Sequence, residues 1–161
     1  MTSAVDTNVL LDILIPDAEY LDHSLAALLQ AAEKGPLIIS EIVFTELSSQ
    51  FLHDGDLERF LAETAIELRI SDEKALWIAG RAWKEYSKRR KNVLTCFVCG
   101  KEIAVLCPHC QQPVQPKRHV ISDFIVGAHA MAFAGRLITR DRGFYRKYFK
   151  GLQIIDPMRG G

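Results

Sequence analysis

The sequence has no excess of either charge sign, because twenty Lys and Arg residues balance twenty Asp and Glu among 161 residues. Global charge therefore argues neither for nor against a polyanionic partner. No apolar run approaches the roughly 20 residues of a membrane span. The first residues place no basic stretch ahead of an apolar one, and Asp6 and Asp12 interrupt what hydrophobicity there is. They do not read as a signal peptide, and a cytoplasmic location is expected. Internal repeats and low-complexity tracts are absent. Cysteine is scarce, with four in all, which excludes a disulfide-rich scaffold. What is there is ordinary: 48% hydrophobic and 25% charged residues suit a globular chain of one principal domain.

The charges are unevenly placed. Residues 81–118 carry nine basic and two acidic groups, a balance of +7, and the remainder carries −7. Such asymmetry suggests separate jobs for the two regions. All four cysteines fall in the basic stretch, as the pairs Cys96/Cys99 and Cys107/Cys110. Two C-x2-C pairs point to tetrahedral structural zinc, with an iron site or regulated disulfides as alternatives. His109 lies between two of them and reads as an exposed bystander. Residues 94–118 are thus expected to be a zinc-ribbon insertion, between a first part (1–93) and a second part (119–161) of the main domain. On the helix before it, Leu76, Ala79, Trp83 and Tyr86 form an apolar stripe. Arg81, Lys84, Lys88 and Lys91 form a basic one, read as RNA-binding against the alternative of a solvated face.

Periodicity predicts strands at 2–5, 37–40, 136–139 and 153–155, with a short strand or linker at 67–70. Helices are predicted at 17–34, from Ser40 to about 53, at 57–66, from the Ser71-Asp-Glu cap to about 91, at 122–134 and at 143–149. Alternation of this kind argues for an α/β fold with an open, mainly parallel sheet, whose site lies beyond the carboxyl ends of the strands.

Acidic residues at strand ends are therefore the functional candidates. Asp6 ends the first strand, Asp141 closely follows the strand at 136–139, and Asp123 opens an otherwise apolar helix where an unpaired charge is costly. Bland readings exist for each: an Asx turn at Asp6, a turn before Gly143 at Asp141, an N-cap at Asp123, although Ser122 can fill that last role. Gly127, Ala130 and Ala134 are read as leaving ligand space beside Asp123. A further carboxylate is expected from the helix after Ser40. Glu41 and Glu46 compete for it, with Glu46 less easily explained by the helix dipole.

These pieces resemble the PIN domain, a nuclease fold of prokaryotic toxins and RNA-processing enzymes. The matching stretches are Val5-Asp6-Thr7-Asn8-Val9-Leu10-Leu11-Asp12, Ile39-Ser40 with Thr45-Glu46-Leu47, the run from Asp123 to Ala130, and Leu137-Ile-Thr-Arg-Asp141-Arg-Gly-Phe144. The resemblance implies a three-layer PIN-like sandwich and an acidic cluster of Asp6, Glu46, Asp123 and Asp141. His129 is read as core, and Asp12 as a surface or capping group of a first helix. Four converging carboxylates call for Mg²⁺ or Mn²⁺. The implied activity is endoribonuclease cleavage leaving a 5′-phosphate and a 3′-hydroxyl, in a toxin or an RNA-maturation enzyme. An antitoxin and a homodimer are the implied partners, with no membrane. The alternatives are a catalytically inactive PIN-like RNA- or protein-binding module and a haloacid dehalogenase-type phosphatase. The phosphatase normally needs an Asp where this chain has Asn8.

Overall fold

The computed structural model describes residues 1–89, 94–95, 99, 101–114, 121–141 and 143–159. Five short parallel strands form the central sheet: β1 (Ser3–Val5), β2 (Leu37–Ile39), β3 (Ile66–Leu68), β6 (Arg136–Ile138) and β7 (Gln153–Ile155). Their spatial order is β3-β2-β1-β6-β7. The residues of β1, β2 and β6 are all buried, as expected of apolar strands covered on both faces. From β1 the chain steps one way to β2 and β3, whereas β6 to β7 steps the other way. The order of strands thus reverses between β1 and β6, and a crevice opens at their carboxyl ends.

The helices α1 (Thr7–Leu14), α2 (Leu21–Ala32), α3 (Glu41–Ser48), α4 (Asp54–Glu63), α5 (Glu73–Arg89), α6 (Ile121–Phe133) and α7 (Phe144–Tyr148) connect these strands. Asp6 caps α1 by accepting from the Thr7 amide, and Ser40 caps α3 through the Val43 amide, as expected of Ser40. Phe124, fully buried on α6, is ringed by Trp83 and Tyr86 of α5 and by Phe144 and Tyr148 of α7. Those aromatic contacts fix α6 between its neighbours and set the direction of Asp123.

Several expectations are corrected. The helix predicted at 17–34 is confined to α2. The helix predicted at 57–66 instead runs over α4 and stops because Ala65 turns to φ 52°, a conformation no helix continues, so Ile66 begins β3. Helix α5 is capped by Asp72, whose Oδ1 accepts from the Ala75 amide, while Ser71 donates to Glu41. Its inward face is Ala75, Ala79 and Ala82 with Trp83 and Tyr86, and Leu76 is exposed. Ser122 lies inside the first turn of α6 rather than at its cap. No ligand space opens at Gly127: a Cβ there would meet the Phe149 ring at 2.4 Å, so the small residue admits that ring.

The cysteine-bearing stretch forms a sheet of its own. Strand β4 (Leu94–Thr95) pairs antiparallel with β5 (Glu102–Ile103), and the first C-x2-C pair falls in the connecting sequence. A second hairpin closes through the Leu106–Pro113 bridge and the Val114-to-Val105 hydrogen bond, with Cys107 and Cys110 at its tip.

Candidate active site

Four carboxylates reach one crevice. Asp6, Glu46, Asp123 and Asp141 line a cavity of about 270 Å³ together with Thr7, Asn8, Leu11 and Tyr145. It opens where β1 and β6 end, at the reversal of strand order.

Asp6 is the anchor, only 7% exposed. Its Oδ1 accepts from the Thr7 amide at 2.8 Å. Its Oδ2 accepts from the Asn8 side-chain Nδ2 at 2.7 Å, from the Thr139 hydroxyl at 2.6 Å and, more weakly, from the Tyr145 hydroxyl at 3.4 Å. Burial pushes its pKa up, the Glu46 charge adds to that push, and the hydrogen bonds from Thr139, Thr7 and Asn8 oppose it. Thr139 also accepts from the Asp141 amide at 3.0 Å, and Asn8 Oδ1 accepts from the Arg140 amide at 3.1 Å. The end of β6 is thereby latched to the end of β1.

The two glutamates of α3 separate cleanly. Glu41 accepts from the amide and hydroxyl of Ser71, both at 3.0 Å, and is occupied structurally. Glu46 accepts from the Thr7 hydroxyl at the crevice. Asp141 caps the turn into α7, its Oδ1 accepting from the amides of Gly143 and Phe144, and lines the crevice as well. The turn reading of Asp141 holds, and its turn places it in the wall of the crevice. Asp123 has the clearest electrostatic signature, a pKa raised to about 6 by burial first and then by the charges of Asp6, Glu46 and Asp141. Each acid makes the next harder to ionise. Among the described residues, no three His, Cys, Asp or Glu side chains stand close enough to hold an ion as they are placed.

Sequence reasoning missed Tyr145 and Thr139. Tyr145 is buried and its phenol is pushed up, mainly by burial and then by the surrounding carboxylates. Nothing in its spacing signals that role. Thr139 could have been found, since the residue two before Asp141 sits at a strand end.

Asp12 is corrected from a surface or capping group to a buried ion pair. It is 4% exposed, accepts from Ser24 at 2.6 Å and pairs with Arg140 at 2.9 Å, while the Arg140 guanidinium lies over the Tyr20 ring. His129 is core, as expected, with Nε2 at 2.7 Å from the Arg69 carbonyl oxygen and its pKa lowered chiefly by burial. His109 is exposed, also as expected. Arg81, Lys84 and Lys88 are exposed on α5, and Lys91 lies outside the described residues.

Of the cysteines, Cys96 lies outside the described residues; Cys99, Cys107 and Cys110 are free thiols. Backbone N–H groups of Cys110 and His109 point at the Cys107 sulfur and hold that thiol below its ordinary pKa.

The sequence model of the family described as PIN domain matches residues 4–150. No curated protein matches at a significant level. Among solved structures, the chain is similar to one of VapBC2 from Rickettsia felis bound to a DNA fragment from their promoter, with TM-score 0.62 and 17% identity, covering 97% of this chain and 98% of that one. It is similar to FitAcB from Neisseria gonorrhoeae, with TM-score 0.60 and 16% identity, covering 98% and 99% of the two chains. A third is VapBC-1 from nontypeable Haemophilus influenzae, with TM-score 0.60 and 14% identity, covering 99% and 100%.

Proposed function

The chain belongs to the PIN-domain family, and from that premise we propose that it is a metal-dependent endoribonuclease whose catalytic acids are Asp6, Glu46, Asp123 and Asp141. The single observation that carries the reading is the crevice lined by all four, in which Asp123 is raised to about 6 by burial first and then by the charges of the other three. Such a set costs electrostatic energy unless a cation compensates it. Hard oxygen donors of this kind fit Mg²⁺ or Mn²⁺. A bound ion supplies activation of water and neutralisation of phosphodiester charge.

The chain's own residues do the rest. Thr139 and Asn8 hold Asp6 by hydrogen bonds that favour its charged form, offsetting part of the burial penalty. Thr7 holds the Glu46 carboxylate against the start of α1. The Arg140–Asp12 pair and the Thr139–Asp141 bond keep the loop carrying Asp141 in register with Asp6. Exposed Arg81, Lys84, Lys88 and, beyond the described residues, Lys91 supply cations for the RNA backbone on an otherwise acidic body.

Zinc at Cys96, Cys99, Cys107 and Cys110 in a ribbon over residues 94–118 belongs to the same proposal. The amides converging on the Cys107 sulfur suit a thiolate ligand, as in the turn of a metal knuckle. The solved toxin–antitoxin complexes of similar fold suggest an antitoxin and a homodimer as partners.

Cleavage of mixed RNA should require Mg²⁺ or Mn²⁺, stop with EDTA, and fall at least about a hundredfold in Asp6→Asn and in Asp123→Asn without loss of folding. Activity indifferent to EDTA and to both substitutions would sink the mechanism. Cation-dependent RNA binding with no cleavage would favour the inactive-module reading.

A further inference from the structure

A second cavity, of about 350 Å³, shares no lining residue with the acidic crevice. It is bounded by α2, the edge strand β7 and the turn after it, and cations from separate segments face it: Lys34, Arg136, Arg146 and Arg159. The acid in its wall, Asp156, is paired with Arg159 at 3.7 Å. Lys34 and Arg146 are exposed and, among the described residues, carry no ion pair.

Arg136 is the unusual group. It opens β6 and is 7% exposed, so more than nine-tenths of it is withdrawn from water. Its Nη2 donates to the Met1 carbonyl, but its Nε is buried with no hydrogen-bond partner among the described residues. Among the described residues no carboxylate lies within ion-pair distance of it. A buried guanidinium without an anion is costly, and the arrangement is that of a site whose anion comes from outside the chain.

We propose that this cavity binds a phosphate-bearing ligand of nucleotide size. Three cations that make no ion pair among the described residues suit a phosphomonoester, which offers up to two charges and three acceptor oxygens, better than a carboxylate with one charge. The volume lies within the range of small-molecule pockets, about 300–1,000 Å³, and exceeds what a phosphate group alone needs. Ala27, Ile154 and Pro157 supply apolar wall for the organic part. The phosphate has two sources, a free mononucleotide or the phosphorylated end of an RNA. The proposal does not rest on the nuclease reading, because the two cavities are built from different residues.

The test uses the whole chain in EDTA, so that cation-dependent binding at the acidic crevice is silent. Probes are AMP, adenosine, and one short oligoribonucleotide with either a 5′-phosphate or a 5′-hydroxyl, followed by calorimetric titration. AMP should bind and adenosine should not. The Lys34→Gln/Arg146→Gln double variant changes only exposed side chains and should bind AMP about tenfold more weakly or worse. Arg136→Met should do the same, with its fold checked by circular dichroism. Tighter binding of the 5′-phosphorylated oligoribonucleotide than of AMP assigns the site to an RNA end; equal binding assigns it to free nucleotide. Adenosine binding as well as AMP, an unchanged affinity in the double variant, or no binding of either phosphorylated probe would overturn the proposal.

Discussion

Glu41 and Glu46 sit on the same short helix, border the same apolar stripe and carry the same charge, yet one is tied to Ser71 and the other reaches the Asp6 crevice. Periodicity could not separate them, because the difference lies in what the neighbouring loops present. Asp6 and Asp123 were legible, since a carboxylate at a strand end or at the mouth of a buried helix has few structural excuses. Tyr145 was not, because an aromatic at helical spacing reads as core. The Asp123 titration gives a residue-scale prediction. An acid raised from 3.8 to about 6 in the folded protein holds its proton more tightly there than when unfolded. It therefore favours folding while protonated; that contribution is full below about pH 4 and is lost as pH rises through about 6. Melting curves in EDTA should show stability falling across this window in the wild type and a flatter profile in Asp123→Asn. Mg²⁺ should restore stability above the window and do little below it. Identical slopes in the two proteins would mean that neither burial nor the neighbouring acids raise Asp123.

At the scale of elements, short apolar-rich runs bounded by turn residues identified β1, β2, β6 and the edge strand β7 closely, and the first three are buried throughout. Helix ends were less legible. The break at Ala65 is a backbone event in a residue with high helix propensity, so composition gave no warning of it. The Asp12–Arg140 pair joins α1 to the loop after β6, a long-range match that local patterning does not encode. The missing side chain of Gly127 suggests space for a ligand, but it is the seat of the Phe149 ring, 1% exposed beneath α6. Gly127→Ala should therefore destabilise by about 1–3 kcal/mol through overpacking, although alanine favours helices. Chemical denaturation would check it, and Phe149→Leu in the same chain should recover part of the loss. A stabilising Gly127→Ala would show that the ring has room to move.

Over the whole molecule, the cancelling net charge conceals a +7 stretch over residues 81–118 and a −7 remainder. This division was legible from sequence because charge and cysteine spacing need no knowledge of packing. The structure adds a second, two-stranded sheet. Among the described residues, strands β4 and β5 pair with each other and share no ladder with the five-stranded sheet. Its side chains offer little core: Ile103, Val105, Leu106 and Val114 are all more than a third exposed. These exposed side chains call for another source of order, and metal binding by thiolates supplies folding free energy directly. Protein purified without added metal should accordingly contain about one equivalent of zinc, lost in Cys99→Ser/Cys107→Ser. Because the body keeps its own core around Phe124, that variant should melt within a few degrees of the wild type. It should still cleave a short RNA at saturation, while its affinity and the salt dependence of RNA binding decline with the disordered basic arm. Absence of stoichiometric zinc would remove the metal from the account; collapse of the body on zinc loss would show that the two sheets fold as one unit.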